Sequence, residues 1–343
     1  MACRYDLTPD ELAALLGDEP AFRVRQVWDG LYRRAVEPDE LTDLPTGLRR
    51  RLAAEPAFAP ALREVACSVS EGGDTVKWLW SLHDGTRVET VLMHYRGRST
   101  ACVSTQAGCA MACGFCATGQ AGFERNLSTG EIVEQVVRAM RAARPRRVGN
   151  VVFMGMGEPL ANYDRVWAAV ERLHDDVGIS ARHLTLSTVG IVPGIRRLAG
   201  ERLPVNLAVS LHAADDELRD ELVPINRRYP LGELTEACRE YLAAKGRRLS
   251  FEWALIDGVN DRPVDAARLA ALARPLGAHV NLIPLNPTPG YPTRGTPPAG
   301  VRAFRDRLRS AGVNATVRRN RGTDIDAACG QLRATAGSGA LPD

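Results

Sequence analysis

Cys109-Ala110-Met111-Ala112-Cys113-Gly114-Phe115-Cys116 places three cysteines within eight residues. Thiolates at that density select zinc or iron–sulfur. No histidine or further cysteine lies close by in the sequence to complete a four-ligand set, and structural zinc is almost always closed by four protein ligands. A [4Fe–4S] cluster held by three cysteines instead leaves one iron open to a substrate or cofactor. Ala110, Ala112 and Gly114 keep the loop small enough to wrap closely round a compact cluster. Two other readings stand beside this one: three buried apolar cysteines, and zinc completed by a distant residue. The spacing favours an open-iron cluster with Cys109, Cys113 and Cys116 as ligands.

Outward from this loop, strands alternate with helices. Strand-like runs occur at Ala101–Gln106, Asn150–Met154, His183–Ser187, Val205–Ser210, Leu249–Leu255, His279–Leu285 and Asn314–Val317. Ser128-Thr129-Gly130-Glu131 is a capping box opening a helix to about Ala143. Further helices are predicted over Tyr163–His174, Leu231–Lys245, Val264–Ala273 and Val301–Ala311. The rhythm means βα units around a parallel sheet. The predicted fold class is therefore α/β, a partial (βα)6 TIM-like barrel over residues 99–320.

In such folds ligands sit at the C-terminal ends of the strands. The cysteine loop follows the first strand and Gly155-Met156-Gly157-Glu158-Pro159 the second. Ser187-Thr188 ends the third, Ser210-Leu211-His212 the fourth and Asn286-Pro287 the sixth. Each is weak alone, since Gly-x-Gly turns are common and strand-end serines often cap. Their convergence on one rim beside the cysteines is the signal.

Before the barrel, residues 1–62 read as a small helical module. Thr8-Pro9-Asp10-Glu11 is a helix start, apolar residues recur three to four apart from Phe22 to Tyr32, and Thr42-Asp43-Leu44-Pro45 turns into another helix. The module is either a packing domain or an RNA-contacting appendage. Residues 63–98 read as a β-hairpin extension: Thr75–Leu82, a turn at His83-Asp84-Gly85-Thr86, then Arg87–Met93. Glu89 on the second strand is expected on its solvated face.

Composition permits this architecture. The chain has 343 residues, 45% hydrophobic and 25% charged, the ordinary level for a globular protein with a sizeable core. Its first residues are too polar for a signal peptide, and no apolar run approaches the ~18 residues of a membrane helix. A cytoplasmic protein with no membrane partner is expected. Of eight cysteines, three crowd one loop, which favours metal binding over a disulfide framework. A net charge of +3 permits nucleic-acid binding without arguing for it. Arginine groups such as Arg144/Arg146/Arg147 and Arg227/Arg228 read as solvated faces.

The C-x3-C-x2-C spacing resembles that of the radical S-adenosylmethionine (SAM) enzymes. The resemblance implies an open iron that chelates SAM and, with it, generates a 5′-deoxyadenosyl radical. A SAM ammonium needs an acceptor, which Glu158 and the backbone at Gly157 offer. Its carboxylate and ribose suit short polar groups, placing Ser187, Ser210 with Leu211 and His212, and Asn286 among the SAM contacts.

A narrower likeness covers nearly the whole chain. Thr105–Cys109, Cys116–Gly119, Arg125–Leu127, Gly155–Leu160, Leu186–Gly190, Ser210–His212, Pro224–Arg227, Asn281–Pro287 and Asp324–Leu332 are similar to the RlmN/Cfr family of radical SAM RNA methyltransferases, and more to its RlmN branch. This implies two SAM molecules. Cys329, in the C-terminal loop of residues 321–343, would take a methyl from one and carry it to C2 of an adenine, with Glu89 as general base. Cys102 would resolve the product by forming a disulfide with Cys329. C2 of adenine is electrophilic, so ordinary SAM alkylation does not reach it.

The implied partners are 23S rRNA at the peptidyl transferase centre, the tRNA anticodon loop and an external electron donor such as a flavodoxin-type reductant, with the enzyme a monomer. Arg318, Arg319 and Arg321 are read as phosphate contacts. Three alternatives stay open at this point: a Cfr-type C8 methyltransferase, another radical SAM class, and a non-enzymatic Fe–S or zinc RNA-binding protein.

Overall fold

The computed structural model describes residues 3–288, 290–318, 321–327 and 331. Cys329 and Arg319 lie outside the described residues.

Thr8 caps α1 (Pro9–Leu16): its hydroxyl accepts the Glu11 N–H at 3.2 Å, and the Glu11 carboxylate accepts the Thr8 N–H at 2.7 Å. With proline in the first turn, the helix begins where the sequence predicts. α2 (Phe22–Tyr32) and α3 (Thr46–Ala54) complete the helical module.

The strands that follow are β1 (Arg63–Val69), β2 (Thr75–Ser81), β3 (Arg87–Tyr95) and β4 (Arg98–Cys102), paired antiparallel in sequence. β5 (Gln106–Gly108) and β6 (Phe123–Asn126) form a separate two-stranded ribbon around the cysteine loop and the short α4 (Ala117–Ala121). After α5 (Thr129–Ala143), strands β7 (Val148–Phe153), β8 (Leu184–Thr188), β9 (Asn206–Ser210), β10 (Leu249–Leu255), β11 (His279–Pro284) and β12 (Ala315–Val317) continue from β4, each parallel to its neighbour. All but β5 and β6 belong to one ten-stranded sheet in chain order. The helices between the parallel strands are α6 (Tyr163–Asp175), α7 (Val192–Gly200), α8 (Asp216–Leu222), α9 (Leu231–Lys245), α10 (Pro263–Ala273) and α11 (Pro298–Ser310). The order is that of a partial barrel with an antiparallel edge.

Most predicted elements fall within two residues of their observed ends, and two of the departures are instructive. The first predicted strand stops at Cys102 rather than Gln106. Gln135 of α5 breaks it: its side-chain oxygen accepts the Ser104 N–H at 2.8 Å and its amide donates to the Ser104 carbonyl at 2.9 Å, which turns the chain into the β5 ribbon. α7 and α8 were not anticipated; α8 reads Asp-Glu-Leu-Arg-Asp-Glu-Leu, too polar and short to show a clear apolar stripe.

The hairpin at 75–95 is part of the barrel sheet. Lys77 pairs with Val91 and Val91 with Cys102, so these three side chains share one face across β2, β3 and β4. Glu89, two residues before Val91, points the same way. It is 1% exposed, not on a solvated face. The hairpin is covered on both sides: Thr90 on the other face donates to Gln135 of α5 at 2.9 Å.

The helical module is fastened to the barrel by polar contacts as well as apolar ones. Asp6 accepts the Gly130 N–H at 2.6 Å and the Ser128 hydroxyl at 3.0 Å at the start of α5. Arg172 of α6 donates to the carbonyls of Tyr5 and Leu7, both at 2.7 Å. One apolar core runs from Leu12 and Leu31 through Val151 and Leu207 to Leu282 and Leu308. A smaller cluster of Phe115, Ala213, Leu222 and Ile256 seats the cysteine loop. Among the described residues, no helix is long and apolar enough to cross a membrane.

Candidate active site

The C-terminal strand ends open into one cavity. Cys102, Cys109, Cys113 and Cys116 line it together with Gly157, Glu158, Ser187, Ser210, His212 and Asn286. Of the expected SAM contacts, Leu211 alone does not line the cavity: it is 1% exposed in the core, and its N–H donates to the Glu252 carbonyl at 3.0 Å.

The cysteine loop is held by its own backbone. Cys109 N–H donates to the Gly122 carbonyl at 2.7 Å and Cys116 N–H to the Cys113 carbonyl at 3.1 Å. Gly108 has φ +74°, and a Cβ there would stand 2.0 Å from the Gly122 oxygen. Phe115 anchors the loop edge-on against His212, centroids 4.8 Å apart. Burial pushes the Cys109 thiol up to about 11 and raises Cys113 further, with the neighbouring cysteines adding to the rise at Cys113. Such thiols become thiolates when a cationic metal centre supplies the countercharge. Among the described residues, no three metal-ligating side chains are gathered closely enough to hold an ion by themselves. No closed four-ligand zinc site is gathered among the described residues. Three thiols on one cavity wall, on a loop seated on apolar residues, fit a cluster with an open iron.

Glu158 is buried on the turn after β7. Its carboxylate accepts the Leu160 N–H at 3.0 Å and the Val189 N–H at 2.9 Å, joining the β7 and β8 loops. Burial pushes its pKa up to about 7 against these hydrogen bonds. Ser187 and Ser210 bring their hydroxyls to 3.5 Å of each other. His212 adopts φ +60°, uncommon outside glycine, and its Nδ1 accepts the Ala254 N–H at 3.0 Å. Burial, with Arg219 nearby, pushes its pKa down to about 3. The ring is therefore neutral, with its proton on Nε2.

Two further side chains that build the site were missed by the sequence reading. Glu252 on β10 lines the cavity, 4% exposed, in cross-strand register with Ser210 and Asn281. Its Oε1 accepts from Ser250 at 3.0 Å and Asn281 at 2.8 Å, while its buried Oε2 has no hydrogen-bond partner among the described residues. A buried carboxylate oxygen calls for a donor, and this one faces a cavity able to admit one. The available signal was an acid amid the apolar Phe251, Trp253 and Ala254. Arg219 of α8, fully buried, donates to the Leu211 carbonyl at 3.0 Å, the Val189 carbonyl at 2.6 Å and Asn226 Oδ1 at 2.7 Å. It ties together the loops after β8 and β9.

Glu89 is not among the residues lining the cavity; on the sheet face that carries Cys102 it is covered by Lys77, whose ammonium lies 3.2 Å from Glu89 Oε1. Lys77 also donates to the Asp326 carbonyl at 3.3 Å. The segment 321–327 is docked on the hairpin by further contacts: Asp324 accepts the Glu71 N–H at 2.9 Å, and Arg321 pairs with Asp74 and lies over the Tyr95 ring, 4.4 Å from its centroid. Arg321, read from sequence as a phosphate contact, is engaged within the chain. Arg318 and Ala327 line the cavity, and Ala327 precedes Cys329 by two residues.

Residues 103–270 match the radical SAM superfamily model. Proteins named probable dual-specificity RNA methyltransferase RlmN resemble nearly the whole chain. That of Salinispora tropica is 54% identical, covering 97% of this chain and 92% of its own length. That of Parafrankia sp. is 55% identical over 96% of this chain and 91% of its own. The crystal structure of a radical SAM methyltransferase from Sphaerobacter thermophilus superposes with a TM-score of 0.93 at 50% identity, covering 98% of this chain and all of that one.

Proposed function

The chain belongs to the RlmN family of radical SAM RNA methyltransferases, and on that premise we propose that it methylates C2 of an adenosine, in 23S rRNA and in the tRNA anticodon loop, through a methyl carried on Cys329. One observation supports this most: a single cavity is lined by Cys102, by the three loop cysteines, and by Ala327 two residues from Cys329.

Cys109, Cys113 and Cys116 would hold the [4Fe–4S] cluster; with SAM bound, that group supplies a 5′-deoxyadenosyl radical able to take a hydrogen atom from a methyl group. Glu158, Glu252, Ser187, Ser210 and Asn286 would bind and orient SAM, the carboxylates accepting from its ammonium and hydroxyls. His212 offers an uncharged N–H donor that does not oppose the sulfonium.

Cys329 Sγ would accept a methyl by displacement and present it to the adenine. Glu89 would remove the C2 proton, which requires it to be ionised, and the Lys77 ammonium favours that state. Cys102, on the same sheet face, would attack Cys329 Sγ as a thiolate, forming the disulfide as the S–CH2 bond breaks. The electron pair would stay with the carbon, which takes up a proton to become the methyl of the released base, and an external reductant would return the disulfide to thiols. Unstacked adenosines are the accessible targets in RNA. A flavodoxin-type donor would supply the electron, and the protein would act as a monomer in the cytoplasm.

Nucleoside analysis of RNA treated with the reconstituted enzyme tests this. 2-Methyladenosine is expected; 8-methyladenosine would move the chain to the Cfr-type reaction.

A further inference from the structure

A second cleft lies at the N-terminal ends of the parallel strands, away from the cysteine loop. The β3–β4 turn, the α5–β7 connection and the α6–β8 connection form it with the end of α2. Arg33, Arg34, Arg98, Arg144, Arg146 and Arg147 all line it, and none of the described residues lining it is acidic. The chain as a whole has 44 basic and 41 acidic residues, so composition does not explain the density.

Some of these cations are used. Arg34 pairs with Asp43 at 2.8 Å, Arg33 with Asp29 at 3.5 Å, and Arg144 donates to the carbonyls of Arg34 and Ala35. Arg146 and Arg147 pair with no acid among the described residues. Arg98 lies over the Tyr95 ring at 4.9 Å, which leaves its N–H edge open. Gathering like charges costs free energy, and at Arg146 and Arg147 no ion pair among the described residues offsets it. An arginine fork matches a phosphate in a way a general counter-ion does not need.

We propose that this cleft grips the phosphodiester backbone of the RNA substrate at a point remote from the reacting adenosine. The proposal rests on the RNA methyltransferase reading. Strands of five or six residues set the cleft roughly 17–20 Å from the catalytic rim, so the RNA must pass along the flank of the barrel. Tyr95 marks a route, with Arg98 on its ring at the cleft side and Arg321 on the same ring beside the docked C-terminal segment. The grip also gives the helical module a role, since Arg33 and Arg34 come from it.

The test is the double variant R146E/R147E, with R146Q/R147Q as the milder pair should the glutamates disturb folding. Binding is measured across a salt series on a full-length RNA substrate and on a single hairpin too short to reach the cleft. Full-length RNA should bind at least about tenfold more weakly, with the slope of log affinity against log salt reduced by about 1.5. Hairpin binding and RNA-independent 5′-deoxyadenosine formation should be unchanged. Unchanged long-RNA binding, or an equal loss on the hairpin, overturns the proposal. So does intact RNA binding with a loss of turnover driven by an acidic reductase, which would assign the cleft to that protein. Failure of the parent reading shows differently, as no RNA methylation by the unaltered enzyme.

Discussion

Lys77 and Glu89 form a nearly buried ion pair, 3.2 Å apart, on the sheet face that also carries Cys102. The same ammonium holds the Asp326 carbonyl, so one side chain fixes both the proposed base and the approach to Cys329. K77M should lower adenine methylation about 10- to 100-fold, because it removes the ammonium 3.2 Å from the buried Glu89 carboxylate. RNA-independent 5′-deoxyadenosine formation should persist, and K77R should recover much of the loss. Equal activity of the methionine and arginine variants would deny Lys77 this role.

Replacing the base separates the steps. E89Q keeps shape and burial but cannot take a proton. RNA methylation should fall on the order of 10²- to 10⁴-fold, while methyl transfer to Cys329 continues, as peptide mass spectrometry can read.

Glu158 gives the apo protein a pH dependence. Its pKa is raised by burial from 4.5 to about 7, so the folded state favours the neutral acid. That contribution, up to roughly 3 kcal/mol, is present below pH 4.5 and lost as pH rises through 7. Denaturant titrations from pH 5 to 8 should show wild type losing stability relative to E158Q. Parallel profiles would mean Glu158 titrates normally.

The barrel was legible because most of its βα units carry their own signal: the capping box at Ser128, apolar strand runs, and polar residues at strand ends. The fate of Glu89 was not, since alternation along a strand does not say what covers each face. Its burial depends on Lys77 and on the docked residues 321–327, the latter far away in the chain. Arg219 was hidden for a related reason: a single arginine in a charged seven-residue helix looks solvated until its carbonyl partners are in place. Glu252 could have been found, because a buried parallel strand rarely spends a position on an acid without a use for it.

The cysteine loop depends on a backbone contact that tolerates no side chain. G108A would drive a Cβ into the Gly122 oxygen at a residue with φ +74°. Iron and sulfide content after anaerobic reconstitution should drop well below the three-cysteine wild type, with far-UV circular dichroism unchanged. Full loading would show that the loop can relax.

The path of the methyl group is the most direct test. The protein, reconstituted anaerobically, is given methyl-labelled SAM and then RNA, and label is followed by peptide and nucleoside mass spectrometry. Label should appear first on Cys329 and then at C2 of adenine, and C329A should transfer none. Full turnover to RNA by C329A would contradict a cysteine-borne methyl.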